Sequence, residues 1–436
     1  MKKLFLLILM ISFLGVFQSN SSENPDFKKI IFNSNEQNPG SATDKIIDFY
    51  KAQIKRSPDD YFNYNRVGEL YIRKAREIGQ LSYYDKAEEF LNYALELNSH
   101  NYPSYIYLGQ VSSSRHDFAQ TLRHAQKAIE INDIEASAYG IMGDAYIELG
   151  KYEKAKKAYE KMAKLEPSLY SLSRLSHIKD ITGDTEGSIN DMKKSISYGI
   201  RHRLPKENIA WAEVILGSIY FNKGDLENAE IHYKKSLSLL KNYYLALEHI
   251  AELNAVKGNY KKAIKMYNRV LEINPNPDFY IALADVFAKQ GNQDKANELY
   301  EIAKGKYETY LNNGFNGYLG HHARFYADNE IDLQKALQLA KKDLEIKKDV
   351  HAFDTLAWVY YKLGNYKKAL SYSRVSLNQG TKDAGIYFHA GMINYKAGNF
   401  SNAKKYLDLS LKTNPYFDMN SPDQAKAVIK QISLAE

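Results

Sequence analysis

Small, apolar and polar positions recur along this chain with the spacing of paired helices. In Ala138–Pro167 (AYGIMGDAYIELGKYEKAKKAYEKMAKLEP) the apolar residues follow a helical period, pause at a glycine, and resume. That pattern predicts two amphipathic helices joined by a tight turn. With Gly143 numbered as slot 8, Tyr139 fills slot 4, Met142 slot 7, Tyr146 slot 11, Gly150 slot 15, Tyr152 slot 17, Ala155 slot 20, Tyr159 slot 24 and Pro167 slot 32. Slots 8 and 20 fall where the two helices cross, so only small side chains fit. Slots 4, 7, 11, 17 and 24 supply the core between helices. Glycine at slot 15 ends the first helix in a left-handed residue. Proline at slot 32 stops the second.

The register repeats. Slot 8 falls on Gly68, Gly109, Gly143, Ser176, Gly217, Ala251, Ala284, Ala323, Ala357 and Gly391, at steps of 41, 34, 33, 41, 34, 33, 39, 34 and 34 residues. Slot 20 is Ala87, Thr121, Ala155, Ser188, Ala229, Ala263, Ala296, Ala336, Ala369 and Ala403. These ten units run in phase from about Asp60 to Pro415. Their pattern resembles the tetratricopeptide repeat (TPR) family, helix–turn–helix units of about 34 residues. The resemblance implies an all-α, right-handed superhelical solenoid of about ten TPR-like units.

Three steps are long. The extra residues lie at Arg76–Tyr84, Gly199–Glu207 and Gly305–Gly317, where loops or lengthened helices are expected. The eighth unit admits two registers. Arg324 at slot 8 would not fit a tight crossing, so Ala323 is preferred, with a turn one residue longer. Thr43–Ile54 and Ser421–Ile432 read as single helices closing the apolar ends of the array. The expected organisation is a signal peptide over 1–21, a polar lead-in over 22–42, a capping helix within 43–57, the solenoid over 58–415 and a second cap within 416–436.

The signal peptide rests on Lys2 and Lys3 followed by the apolar run Leu4–Phe17, which is short for a membrane span, with a weak cleavage site after Ser21. An exported chain, periplasmic or secreted, with no membrane span after cleavage, is the expectation. Composition then excludes several classes. The chain has 436 residues, 44% hydrophobic and 25% charged, as folded proteins do. It contains no cysteine, which removes disulfides, thiolate metal sites and cysteine nucleophiles. The net charge of +7 is spread along the chain, so no nucleic-acid face is expected. The 36 tyrosines against 18 phenylalanines are mostly absorbed by slots 11 and 24.

No nucleotide, hydrolase or metalloprotease motif occurs. No catalytic residue, metal set or cofactor is assigned, and no enzyme activity is expected. By the resemblance, slots 2, 5, 6, 9, 12 and 13 of each first helix line a concave groove for a protein or peptide partner. Trp211, Phe221, His249, His321, Asp354, Trp358, Tyr361, Phe388, His389 and Tyr395 fall on that face. The Lys/Asn pattern with which some TPR domains clamp a C-terminal carboxylate is missing. The leading expectation is an exported, non-catalytic scaffold or adaptor that supports assembly of a complex. The alternative is a metal-binding or pH-sensing periplasmic protein that uses groove histidines with Glu248, Glu252, Asp285, Asp328 and Asp354. The adjacent pair His321–His322 is the sharpest local feature behind it.

Overall fold

A computed structural model of the protein describes residues 39–78 and 81–435. The expected signal peptide lies outside the described residues, as does residues 22–38 of the lead-in. Among the described residues the chain is all α, with 22 helices and no strand. In chain order these are α1 (Pro39–Arg56), α2 (Tyr61–Ile78), α3 (Ser82–Leu97), α4 (Tyr102–Ser114), α5 (Phe118–Ile131), α6 (Ala136–Glu148), α7 (Tyr152–Leu165) and α8 (Leu169–Ile181). There follow α9 (Thr185–Arg201), α10 (Lys206–Asn222), α11 (Leu226–Leu239), α12 (Tyr244–Val256), α13 (Tyr260–Ile273), α14 (Pro277–Lys289) and α15 (Gln293–Asn312). The last seven are α16 (Leu319–Asp328), α17 (Leu333–Ile346), α18 (Val350–Lys362), α19 (Tyr366–Leu377), α20 (Ala384–Lys396), α21 (Phe400–Thr413) and α22 (Ser421–Ala435). From α2 to α21 they pair as ten hairpins, and α1 and α22 are the single helices at the ends.

The slot logic holds at atomic level. All ten slot-20 residues are fully buried at 0% exposure. At slot 8 of the fifth hairpin, a Cβ on Gly217 would lie 2.5 Å from the Tyr233 ring, so the helices cross too closely for any side chain. The turn glycines such as Gly258 and Gly291 have φ of +77° and +81°, the left-handed region that glycine enters at no cost. Where glycine is missing, His116 and Glu330 take the same conformation at φ 61° and 51°. The eighth turn carries one extra residue after Glu330, and Asp332 then caps α17 by accepting from the Lys335 N–H at 2.9 Å. Ala323 is buried and Arg324 is not, which settles that unit in the register with Ala323 at the crossing.

One boundary differs from expectation. α1 begins at Pro39 rather than near 43, because proline suits the first helical turn, where no intrahelical N–H bond is lost. The long steps take the lengthened-helix form of the two expected: α2 has 18 residues, α9 and α10 have 17 each, and α15 has 20.

Tyrosine at slot 24 has a specific reason. Tyr159 donates to Asp144 at 2.8 Å and Tyr300 to Asp285 at 2.7 Å, and Tyr233 reaches Ser218 at 3.5 Å. The acceptor is the slot-9 residue of the same hairpin each time. A phenylalanine would fill the core equally but lose that hydrogen bond between the two helices of the hairpin.

The described residues form two compact units. One comprises 39–146 with 153–166, and the other 147–152 with 167–435. The first packs Ile46, Ile47 and Tyr50 of α1 against Val67, Leu70 and Tyr71 of α2. The second has a continuous core running from Ile281 to Ile432. Within this second unit the chain returns on itself. Thr381 donates to the Ile181 carbonyl at 2.5 Å, across 200 residues, and Asn414 donates to the Phe221 carbonyl at 2.8 Å, across 193. Lys289 donates to Asn420 at 2.9 Å. The accepting carbonyls end α8 and α10, where no intrahelical donor remains. Gly183 meets the Gly380 carbonyl so closely that a side chain there would clash with it.

Candidate functional site

In the second unit the first helices of successive hairpins present their slot-2, -5, -6, -9 and -12 residues on one face, and three polar clusters form there. The largest joins α16, α18 and α20. Arg324 donates through Nη2 to Asp354 Oδ2 at 2.7 Å and through Nη1 to His389 Nε2 at 2.8 Å. His389 Nδ1 lies 2.9 Å from the same Asp354 oxygen. Because the guanidinium can only donate, the ring accepts at Nε2 and directs Nδ1 to Asp354. Burial pushes the Asp354 carboxyl up, but His389 and Arg324 outweigh it and hold it below the ordinary value of 3.8. Trp358 covers this cluster: its ring lies 4.2 Å from His389, stacks on Tyr361 at 4.6 Å, and donates its N–H to Asp328 at 2.6 Å.

A second cluster sits on α12. His249 Nδ1 is 3.1 Å from Glu252 Oε2 and 3.2 Å from Glu248 Oε2. Its Nε2 is 3.4 Å from Ser218 Oγ on α10, and the Tyr233 ring lies parallel to it at 5.1 Å. Burial lowers the His249 pKa, yet the two glutamates together raise it above 6.5.

The third cluster separates the adjacent histidines. His321 Nδ1 pairs with Asp278 Oδ2 at 2.8 Å, and Tyr307 also donates to Asp278. His322 turns inward between Tyr307, parallel at 4.9 Å, and Tyr326, edge-on at 4.5 Å. Burial drives its pKa down to about 4, with Glu308 opposing and Lys335 assisting. The two rings therefore face different partners: His321 meets Asp278, while His322 lies between Tyr307 and Tyr326.

Of the ten expected groove residues, the fold brings together Asp354, Trp358, Tyr361, Phe388 and His389. His249 and His321 belong to the other two clusters. Tyr395 is tied to the end of the array, donating to Gln431 of α22 at 2.9 Å, and Phe388 also packs on Phe417 at 5.8 Å. Trp211 and Phe221 lie apart, on α10. Trp211 is 1% exposed, Phe388 3%, Asp354 4%, His249 and Phe221 5%, and Trp358 7%. These six are therefore packing residues as placed, and only Tyr361, His321, His389 and Tyr395 reach solvent in part. Sequence reasoning missed Arg324 as the bridge between Asp354 and His389. Its signal was available, since with Ala323 at slot 8 it occupies slot 9. Asp278 and Ser218 were also missed.

Family models agree with this architecture. A tetratricopeptide repeat model matches residues 136–169, 214–243 and 384–417, and a second tetratricopeptide repeat model matches 249–310. The chain is a tetratricopeptide repeat protein. Among similar TPR proteins, a TPR repeat-containing protein of Methanocaldococcus jannaschii is 24% identical over 85% of this chain and 73% of its own length. Tetratricopeptide repeat protein 21B of Xenopus laevis is 24% identical over 69% of this chain, and BBSome complex member BBS4 of Bos taurus 22% over 59%. The chain spans only 24% and 47% of those two relatives. Among solved structures, yeast Tom70 aligns over 94% of this TPR chain and 95% of its own, at 15% identity and a TM-score of 0.41. The APC/C hetero-tetramer Cut9-Hcn1 aligns over 90% and 82%, at 16% identity and a TM-score of 0.42.

Proposed function

We propose that this TPR protein is an exported, non-catalytic scaffold that holds a protein partner on the α16–α18–α20 face. The supporting observation is the build of that face. Tyr361, His389 and Arg324 reach solvent in part, over a rigid floor of Trp358 and Asp354. An aromatic ring and donors fixed by buried neighbours lose little freedom on binding, which favours recognition. The assembly role also draws on relatives such as BBS4, whose name places it in a complex. Export is supported by the basic start and apolar run of residues 2–17.

The test is crosslinking in intact cells with a C-terminally tagged chain, beside a Tyr361→Ala, His389→Ala variant checked for an unchanged melting temperature. Enrichment of one exported protein, lost in the variant, is the expected result. The same partners in both samples would remove this face from the proposal. Cell fractionation with N-terminal sequencing of the mature chain tests export, and an intact Met1 in the cytoplasm would sink it.

A further inference from the structure

We propose that Glu248, His249 and Glu252 form a binding site for one divalent transition-metal ion of the zinc or manganese class. The site is separate from the partner face and does not depend on it. One oxygen from each glutamate and one ring nitrogen of His249 lie within 4.8 Å of one another. The two nitrogen–oxygen separations are 3.1 and 3.2 Å. Ligands bonded to one ion at about 2.0–2.2 Å stand roughly 3.0–3.5 Å apart, so each glutamate oxygen already stands at that spacing from His249 Nδ1.

Charge points the same way. Two carboxylates face one imidazole that is 5% exposed, and the charged groups acting on that ring are those two glutamates. Carboxylates crowded away from bulk water repel unless a cation joins them. The Arg324–Asp354–His389 cluster already has that cation in its guanidinium. On α12 two carboxylates converge on one imidazole, and a divalent ion would bridge all three ligand atoms.

The surroundings of His249 fit a metal ligand. When Nδ1 is the ligating nitrogen, the remaining ring N–H is at Nε2, which faces Ser218 Oγ at 3.4 Å. A hydrogen-bond acceptor on the far nitrogen is what fixes tautomer and ring direction in metal-bound histidines. The parallel Tyr233 ring fixes the plane. Donor type then narrows the ion. Two carboxylates and one imidazole suit zinc, manganese or iron(II) rather than calcium or magnesium, which favour all-oxygen shells. Three protein ligands leave at least one position open.

The test is isothermal titration of the intact, EDTA-stripped chain with zinc chloride and, separately, manganese chloride. One equivalent of either ion should bind to the native chain, with a rise in melting temperature. His249→Ala and Glu252→Gln should each weaken that binding at least tenfold, and His321→Ala should leave it unchanged. Should His249→Ala fail to fold by circular dichroism, the isosteric Glu252→Gln and Glu248→Gln variants decide the matter. No stoichiometric binding by the native chain, or equal binding by these variants, would overturn the assignment. Additional zinc taken up equally by native and variant chains counts as surface histidine binding and leaves the difference of one equivalent as the deciding quantity.

Discussion

The α12 and α16–α18–α20 clusters use the same residue types to opposite balance. Around Asp354, a single carboxylate serves a guanidinium and an imidazole. Around His249, two carboxylates serve one imidazole. His249 is buried and His389 is only slightly more exposed, so burial alone does not distinguish the two clusters. The difference lies in whether the cation is built into the chain. Where it is, the cluster is a brace between three helices. In the other, the acids and the imidazole all come from one helix, and the proposed metal ion would join them.

The comparison breaks most directly at Asp354. Asp354→Ala leaves Arg324 and His389 without their acid and should cost about 3–5 kcal/mol in urea unfolding, as loss of one partner from a buried pair does. A loss below about 1 kcal/mol would mean the brace is idle. Its pH dependence follows in sign. The folded pKa of Asp354 is below the ordinary 3.8, so its contribution is full above 3.8 and disappears as pH falls through the folded value.

His322 sharpens the contrast as a histidine beside aromatic rings whose one glutamate neighbour is offset by Lys335. Its folded pKa is about 4 against an ordinary 6.5. Its stabilising contribution is therefore present above 6.5 and drains away as pH falls toward about 4. Melting temperatures measured across that window should fall, and His322→Phe should flatten the fall. An unchanged slope in the variant would assign the acid loss to other groups. A smaller effect is expected at α12: in metal-free protein Glu248→Gln should cost about 1 kcal/mol, because Glu252 still pairs with His249 at 3.1 Å once the Glu248 charge is gone. A cost near that of Asp354→Ala would erase the distinction between the clusters. The mildest change, Thr381→Val, removes one long-range hydrogen bond of a partly exposed hydroxyl and should cost about 0.5 kcal/mol while leaving zinc binding intact.

The repeat was legible because its cause is local. Gly217 must be small since Tyr233, sixteen residues on, occupies the space a side chain would need, and every hairpin poses the same problem. Ala323 over Arg324 could be chosen from that constraint alone. The groove was less legible. Trp358 and Phe388 fall on groove slots, but whether such a ring faces solvent depends on residues of the adjacent hairpins and the end cap, which periodicity does not encode. Asp278 with His321, 43 residues apart, illustrates the same limit. The carbonyl contacts of Ile181 and Phe221 lie farther still and leave no periodic trace.

Those last contacts change how the second unit must assemble. An open repeat array behaves as a line: each hairpin leans on its neighbours, ends fray first, and deleting a terminal repeat leaves the rest nearly intact. Bonds from Thr381 to Ile181 and from Asn414 to Phe221 join the line into a loop. Closing a loop of that length carries an entropy cost that rises only slowly with length, but it is met only once both ends have folded. The clasp is therefore a late event in folding, and α8 and α10 acquire a dependence on α20–α22 that their sequence separation conceals. Shortening the chain at its C-terminus should then loosen hairpins near residue 181 as well as those at the cut.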